Sequence, residues 1–203
     1  MNIKNLFPVG VGISNLGRQL APEETEVIMQ TANYVTNEKG NGNTTHSISK
    51  NHYILEDSRM VFVKDFIQRQ LEKYFLEIYA PKNKVSLYIT ESWLNYYNES
   101  DGLHQHKHPN SVVSGVFYPK IKGGYIKFIK DAYDMITVEP EVYNDYNSYT
   151  YSLSVKEGDL ILFPSKLEHY LDEHKDNSTR ISLAFNTFIK GQIATTDSMS
   201  LRI

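Results

Sequence analysis

From Val85 onward the chain reads as one short strand after another, and this succession limits the fold more than any other feature. "KVSLYITESWLNYYN" alternates in polarity and is rich in β-branched and aromatic residues. "SVVSGVFYP" and "GGYIKFIK" follow, with Pro119 to Gly124 as their connection. "YTYSLSV" and "DLILFP" flank the turn "KEGD", and "RISLAFNTFIK" is a last strong strand. Ahead of Pro81 the pattern is helical. "APEETEVIMQTANYVTNEKGNG" opens on Pro22 and three glutamates and closes on Gly40, which predicts a capped helix between them. "NGNTTHSISKNHYILED" reads as a polar loop or short extended segment. Val63, Ile67, Leu71, Tyr74 and Ile78 recur at three and four, predicting a second helix from about Ser58 to Tyr79 that Pro81 ends. Two helices followed by six to eight short strands predict an α+β, mainly β fold, a sandwich or a jelly-roll barrel whose mouth takes ligands.

A length of 203 residues suits a single domain over 1–203, with a helical part to about residue 81 and a barrel core over about 84–190. Residues 131 to 149, acidic and Tyr-rich without a clear period, read as an insertion, either a solvated flap or a substrate-selecting loop. Lys and Arg total 21 against 24 Asp and Glu, so no charge imbalance calls for a polyanionic partner. The absence of cysteine excludes disulfides, thiolate metal sites and a cysteine nucleophile, and fits a reducing compartment. "MNIKNLFPVGVGISNLG" contains no long apolar run, so neither a signal peptide nor a membrane span is expected.

"LHQHKHPN", Leu103 to Asn110, sets His104, His106 and His108 at alternate positions in a chain with only seven histidines. Side chains two apart on a strand point the same way, so either neighbouring pair could chelate one metal ion. Neutral imidazole suits iron, zinc, copper and nickel. His169 in "GDLILFPSKLEHYLDEH", in an extended stretch beyond the strand ending at Pro164, is the best third ligand. His174 competes, but "DEHKDNS" reads as a solvated turn. His46 and His52 have no partner in view and read as surface residues. Trp93 and the tyrosines near it read as core and cavity wall. Arg180 and Ser182 share one face of an otherwise apolar strand, and a buried Arg needs an anion, best a carboxylate. Gly123-Gly124 reads as a turn, with no phosphate-loop pattern around it.

An H-x-H motif followed by Gly-Asp, Phe-Pro, His and Arg-x-Ser resembles the iron(II)- and 2-oxoglutarate-dependent oxygenases. Within them the pattern is most similar to little-characterised oxygenases of phage and marine bacteria. The likeness rests on "ESWLNYYNESDGLHQHKHPNSVVSGVFYP" and "GDLILFPSKLEHYLDEHKDNSTRISLAFN", with "IKNLFPVGV" in support. It runs from Trp93 to Asn186 and leaves out the insertion. It implies a double-stranded β-helix (jelly-roll) barrel with N-terminal helices packed on one sheet. It also implies Fe(II), 2-oxoglutarate as co-substrate and dioxygen, with oxidative decarboxylation coupled to hydroxylation of an organic substrate. His106 then takes the place of the first metal ligand and His169 that of the distal one. His108 stands where the family usually has a carboxylate, and a three-histidine site suits zinc and iron alike. The register could instead pair His104 with His106. The resemblance makes Arg180 the partner of the distal carboxylate of 2-oxoglutarate, with Ser182 and Tyr118 assisting. Asn95 and Tyr97, on the strand before the histidines, would face the same cavity. Two other readings stay open: a cupin-like metalloenzyme without the keto acid, and a binding or structural jelly roll clipped by a metal. The substrate is not legible, and the absence of a basic stripe argues against nucleic acid. A cytoplasmic setting is expected, a host's if the gene is phage-borne. No membrane partner is expected, and a homodimer stays open for want of a readable interface.

Overall fold

The computed structural model describes residues 1–30, 34–37, 46–130, 138–193 and 201–202. Strand β1 (Gly12–Asn15) leads into α1 (Pro22–Met29) and then β2 (Tyr34–Asn37) and β3 (His46–Ser49). Helix α2 (Val61–Tyr79) precedes β4 (Val85–Tyr97), β5 (Leu103–His106), β6 (Val113–Lys120) and β7 (Gly124–Ile129). The chain continues through β8 (Thr150–Val155), β9 (Asp159–Pro164), β10 (His169–Leu171), β11 (Arg180–Ile193) and β12 (Leu201–Arg202). One antiparallel sheet has the order β1-β9-β6-β11-β4-β3-β2, with β12 on β11; the other has the order β5-β10-β7-β8. These are the two sheets of a double-stranded β-helix.

Strand parity decides what faces where. On β4, Leu94 and Tyr96 turn toward the helices, and the Tyr96 hydroxyl donates to the Ile28 carbonyl at 2.7 Å. On β11, Ile181, Leu183 and Phe185 do the same, and on β6 so do Val113 and Phe117. They meet Val63, Ile67 and Leu71 of α2, all fully buried, so both helices cover the outer face of the large sheet. The opposite parity faces into the barrel. Tyr118, Ile126, Phe128, Ile161 and Phe163 form an apolar plug there. Glu91, Trp93, Asn95 and Tyr97 of β4 line the space beside it.

Helix α2 runs nearly as the periodicity predicts, with Ser58–Met60 as a 3-10 lead-in and Ala80 left-handed at its end. Ile78, expected on its buried face, is 46% exposed. The first helix departs from expectation. It stops at Met29, and Tyr34–Asn37 is a strand paired with His46–Ser49. Pro22 and the early acids fix where it begins, but the β-prone Tyr-Val-Thr run is better served by sheet pairing than by further turns. Pro119 lies within β6 rather than in the connection. It sits where the β6–β11 register shifts between Ile181 and Leu183, an irregularity that spares a ladder bond.

Of the 131–149 insertion, residues 131–137 lie outside the described residues. Beyond them, Tyr143 and Tyr146 are exposed, and Lys130 Nζ donates to the Tyr146 carbonyl at 3.3 Å. No helix among the described residues is long and apolar enough to cross a membrane.

Candidate metal centre

Two strands of the small sheet bring the histidines together. His106 is the last residue of β5, His169 is the first of β10, and the two are cross-strand partners. His108 lies two residues past the end of β5, where its N–H donates to the Ser165 carbonyl at 3.0 Å. One ligand atom from each of His106, His108 and His169 lies within 4.8 Å of the others. His108 Nε2 and His169 Nε2 are 3.3 Å apart. Two nitrogens each about 2.1 Å from one metal stand about 3.0–3.4 Å apart, so this spacing already fits coordination.

The ring tautomers follow from the partners. His106 Nδ1 sits 2.8 Å from the His104 carbonyl, and His169 Nδ1 sits 3.0 Å from the Leu167 carbonyl. A carbonyl only accepts, so each Nδ1 carries the proton and each Nε2 keeps a lone pair for a cation. Burial holds the His169 imidazole down at about 3 and His108 at about 4, helped by the neighbouring histidines; burial also lowers His106. All three are therefore neutral at ordinary pH, as ligation requires. Phe163, 4.7 Å from the His169 ring, supplies part of the apolar wall.

The cluster opens into a cavity of about 410 Å³. Six of the seven histidines border it, which corrects the reading of His46. His46, expected at the surface, is 4% exposed, stacked on Tyr97 and hydrogen-bonded to Asn95. Its burial follows from the pairing of β3 with β4, a contact between distant segments. His52 is exposed as expected, yet it stands at the mouth beside Trp93. His104 is exposed at the rim. His174 stays apart from the cluster, with Nε2 2.6 Å from the Ser178 carbonyl.

Asn95, Tyr97, Tyr118 and Ser182 all line the cavity and are buried. The Ser182 hydroxyl bonds to Tyr97, and burial raises the Tyr97 and Tyr118 phenols. Arg180, 6% exposed, does not itself border the cavity. Its guanidinium lies 5.2 Å from the Tyr118 ring centre and 5.9 Å from that of Tyr97. Both Nη atoms reach the Tyr125 carbonyl, at 3.3 and 3.2 Å, the guanidinium also hydrogen-bonds the Tyr118 side chain, and Nε is buried without a partner among the described residues. Gly124 lets the fork this close, since its added Cβ would stand 3.1 Å from Nη1. Among the described residues no carboxylate pairs with this cation. Glu91 and Asn186, which also line the cavity, escaped sequence reasoning. The parity of β4 could have found Glu91, because it shares a face with Trp93 and Asn95.

Residues 91–186 match the profile of the family described as "Putative 2OG-Fe(II) oxygenase". Among curated proteins no sequence matches the chain. Solved structures share its fold at low identity. A prolyl hydroxylase from Trichoplax adhaerens, in complex with a hypoxia-inducible-factor peptide, is 14% identical at a TM-score of 0.62, over 88% of this chain and 83% of its own. The α-ketoglutarate-dependent epimerase SnoN of nogalamycin biosynthesis is 9% identical at 0.59, over 89% and 78%. HygX from Streptomyces hygroscopicus, solved with nickel, 2-oxoglutarate and hygromycin B, is 12% identical at 0.55, over 88% and 82%. A particular closeness to phage or marine bacterial relatives is not among these findings. The matched region 91–186, which holds every residue of the histidine cluster and Arg180, is thus similar to the iron(II)- and 2-oxoglutarate-dependent oxygenases.

Proposed function

We propose that this protein is an iron(II)-dependent dioxygenase that couples oxidative decarboxylation of 2-oxoglutarate to hydroxylation of an organic substrate. The observation that carries this reading is the pairing of two incomplete sites. Three neutral imidazoles converge on one point, and among the described residues no carboxylate pairs with a buried guanidinium. A divalent metal fits the first and a carboxylate fits the second. His106, His108 and His169 would hold the iron through nitrogen. When bound, iron and 2-oxoglutarate together supply the dioxygen chemistry and the oxidising power, with succinate and carbon dioxide as products.

The chain's own residues bind, orient and exclude water. Arg180 would receive the distal carboxylate in its fork, with the Tyr118 hydroxyl and Ser182 beside it. Its position against the Tyr97 and Tyr118 rings holds the fork in one orientation before the carboxylate arrives. The Nδ1–H bonds of His106 and His169 to backbone carbonyls keep both rings aimed. Asn95, anchored against His46, would face the co-substrate from β4. The Phe128 and Phe163 wall keeps water from the far side of His169.

His108 in place of a carboxylate favours one second reading, a three-histidine metalloenzyme that does not use the keto acid. Anaerobic titration of the Fe(II)-loaded protein with 2-oxoglutarate separates the two. A visible charge-transfer band that saturates supports a keto acid chelated at the metal. Iron demonstrably bound with no band would refute the oxygenase reading and leave the second.

A further inference from the structure

Glu91 is the one formally charged side chain, histidine aside, among the described residues that border the cavity. Asn186 Nδ2 donates to Glu91 Oε1 at 2.8 Å. Asn186 Oδ1 in turn accepts from Ser114 Oγ at 2.8 Å, and Ser114 Oγ lies 2.8 Å from Ser165 Oγ. Ser114 and Ser165 are each 1% exposed. The carboxylate is thus the outer end of a buried hydrogen-bonded chain, held in place, with its second oxygen uncommitted among the described residues. No lysine or arginine among the described residues pairs with it.

Trp93 stands two residues along β4 on the same face, half-buried, 5.9 Å from the His108 ring. Opposite it on β11 is Ala184, the smallest side chain on that wall of the cavity. Glu91 pairs with Asn186, whereas Tyr97 pairs with Arg180 six positions away along β11, about 20 Å at strand rise. The two fixed charges of this β4–β11 wall therefore sit at opposite ends, the cation deep and the anion at the mouth. Such a field sorts ligands by charge.

We propose that the mouth of this cavity binds an organic cation, a guanidinium or quaternary ammonium group of the substrate, between the Glu91 carboxylate and the Trp93 ring. A carboxylate and an indole face together attract such a group more than either alone. The proposal rests on the oxygenase reading only in taking the histidine cluster as the reaction centre. Bound there, the cation sets the neighbouring carbons of the substrate beside His108.

Trp93 is the only tryptophan, so emission of the zinc-loaded protein with 2-oxoglutarate reports on this position alone. The probes are choline against its uncharged tert-butyl isostere, and butylguanidine against butylurea. The cations should give saturating emission changes at concentrations at least about tenfold lower than the neutral partners. Glu91→Gln keeps an acceptor for Asn186 and should remove that preference. Equal response to charged and neutral probes, an unchanged preference in Glu91→Gln, or no saturable response to either cation into the millimolar range would overturn the proposal. The charge-transfer titration on the Fe(II)-loaded protein separates the two failures. A cation response without the band sinks the oxygenase reading alone, and the band without a cation response sinks only this proposal.

Discussion

Arg180→Met tests the buried guanidinium, because binding and stability should move independently. In the ligand-free protein the guanidinium makes two long bonds to one carbonyl, one to the Tyr118 side chain and two ring contacts. Losing them costs about 0.5–1 kcal/mol each. Against that stands a buried, unpaired cation, whose desolvation costs several kcal/mol and which methionine removes. The terms oppose, so the ligand-free variant should unfold in urea within about 1 kcal/mol of the parent. Binding should behave differently. Loss of one partner from a desolvated charge pair costs about 2–5 kcal/mol, a weakening of 2-oxoglutarate binding by about thirty-fold to several thousand-fold. The charge-transfer titration reads the affinity, and urea unfolding of the ligand-free protein reads stability. Metal content should stay at the parent level. A variant that unfolds several kcal/mol more easily yet binds 2-oxoglutarate normally would show that Arg180 is a structural cation and refute the argument from its orphaned Nε.

The other expectations are narrower. His108→Ala should weaken metal binding by at least about a hundred-fold in competition with a chelating dye, while His104→Ala should leave it nearly unchanged. The reverse result would shift the ligand pair to His104 and His106. Burial holds the His46 imidazole at about 4, below its ordinary value of 6.5, so the unfolded chain binds more protons between those values. The stability this confers is complete above about pH 6.5 and is lost as pH falls toward 4; at pH 5 the loss is about 2 kcal/mol. His46→Gln should flatten the acid side of the urea-midpoint profile by that amount, and an unchanged profile would mean that His46 is not held neutral. Gly115→Ala should cost about 1–3 kcal/mol at constant m-value, because an added Cβ collides with the buried Phe185 ring. Parent-like stability would mean that this ring can move aside.

How much was legible depended on the range of the interaction. The strands from β4 onward showed in the sequence because alternation is local and survives burial of one face. His106, His108 and His169 stood out because metal-ligating side chains are few and their spacing on strands is periodic. The end of α1 did not show, since a pairing between Tyr34–Asn37 and His46–Ser49 competes with helix across a loop. His46 was misjudged for the same reason: β3 joins the large sheet beside β4, and the chain near residue 46 carries no trace of that neighbour.

By itself the sequence determined the succession of short strands, the candidate ligand types and the presence of one cation in an apolar strand, because these are patterns within a dozen residues. Only the tertiary structure decided which histidine rings meet, that no carboxylate among the described residues pairs with Arg180, and that Glu91 stands anchored at the mouth. Those depend on cross-strand register, which places residues 61 to 95 positions apart within a few ångströms of each other. No local pattern encodes that distance.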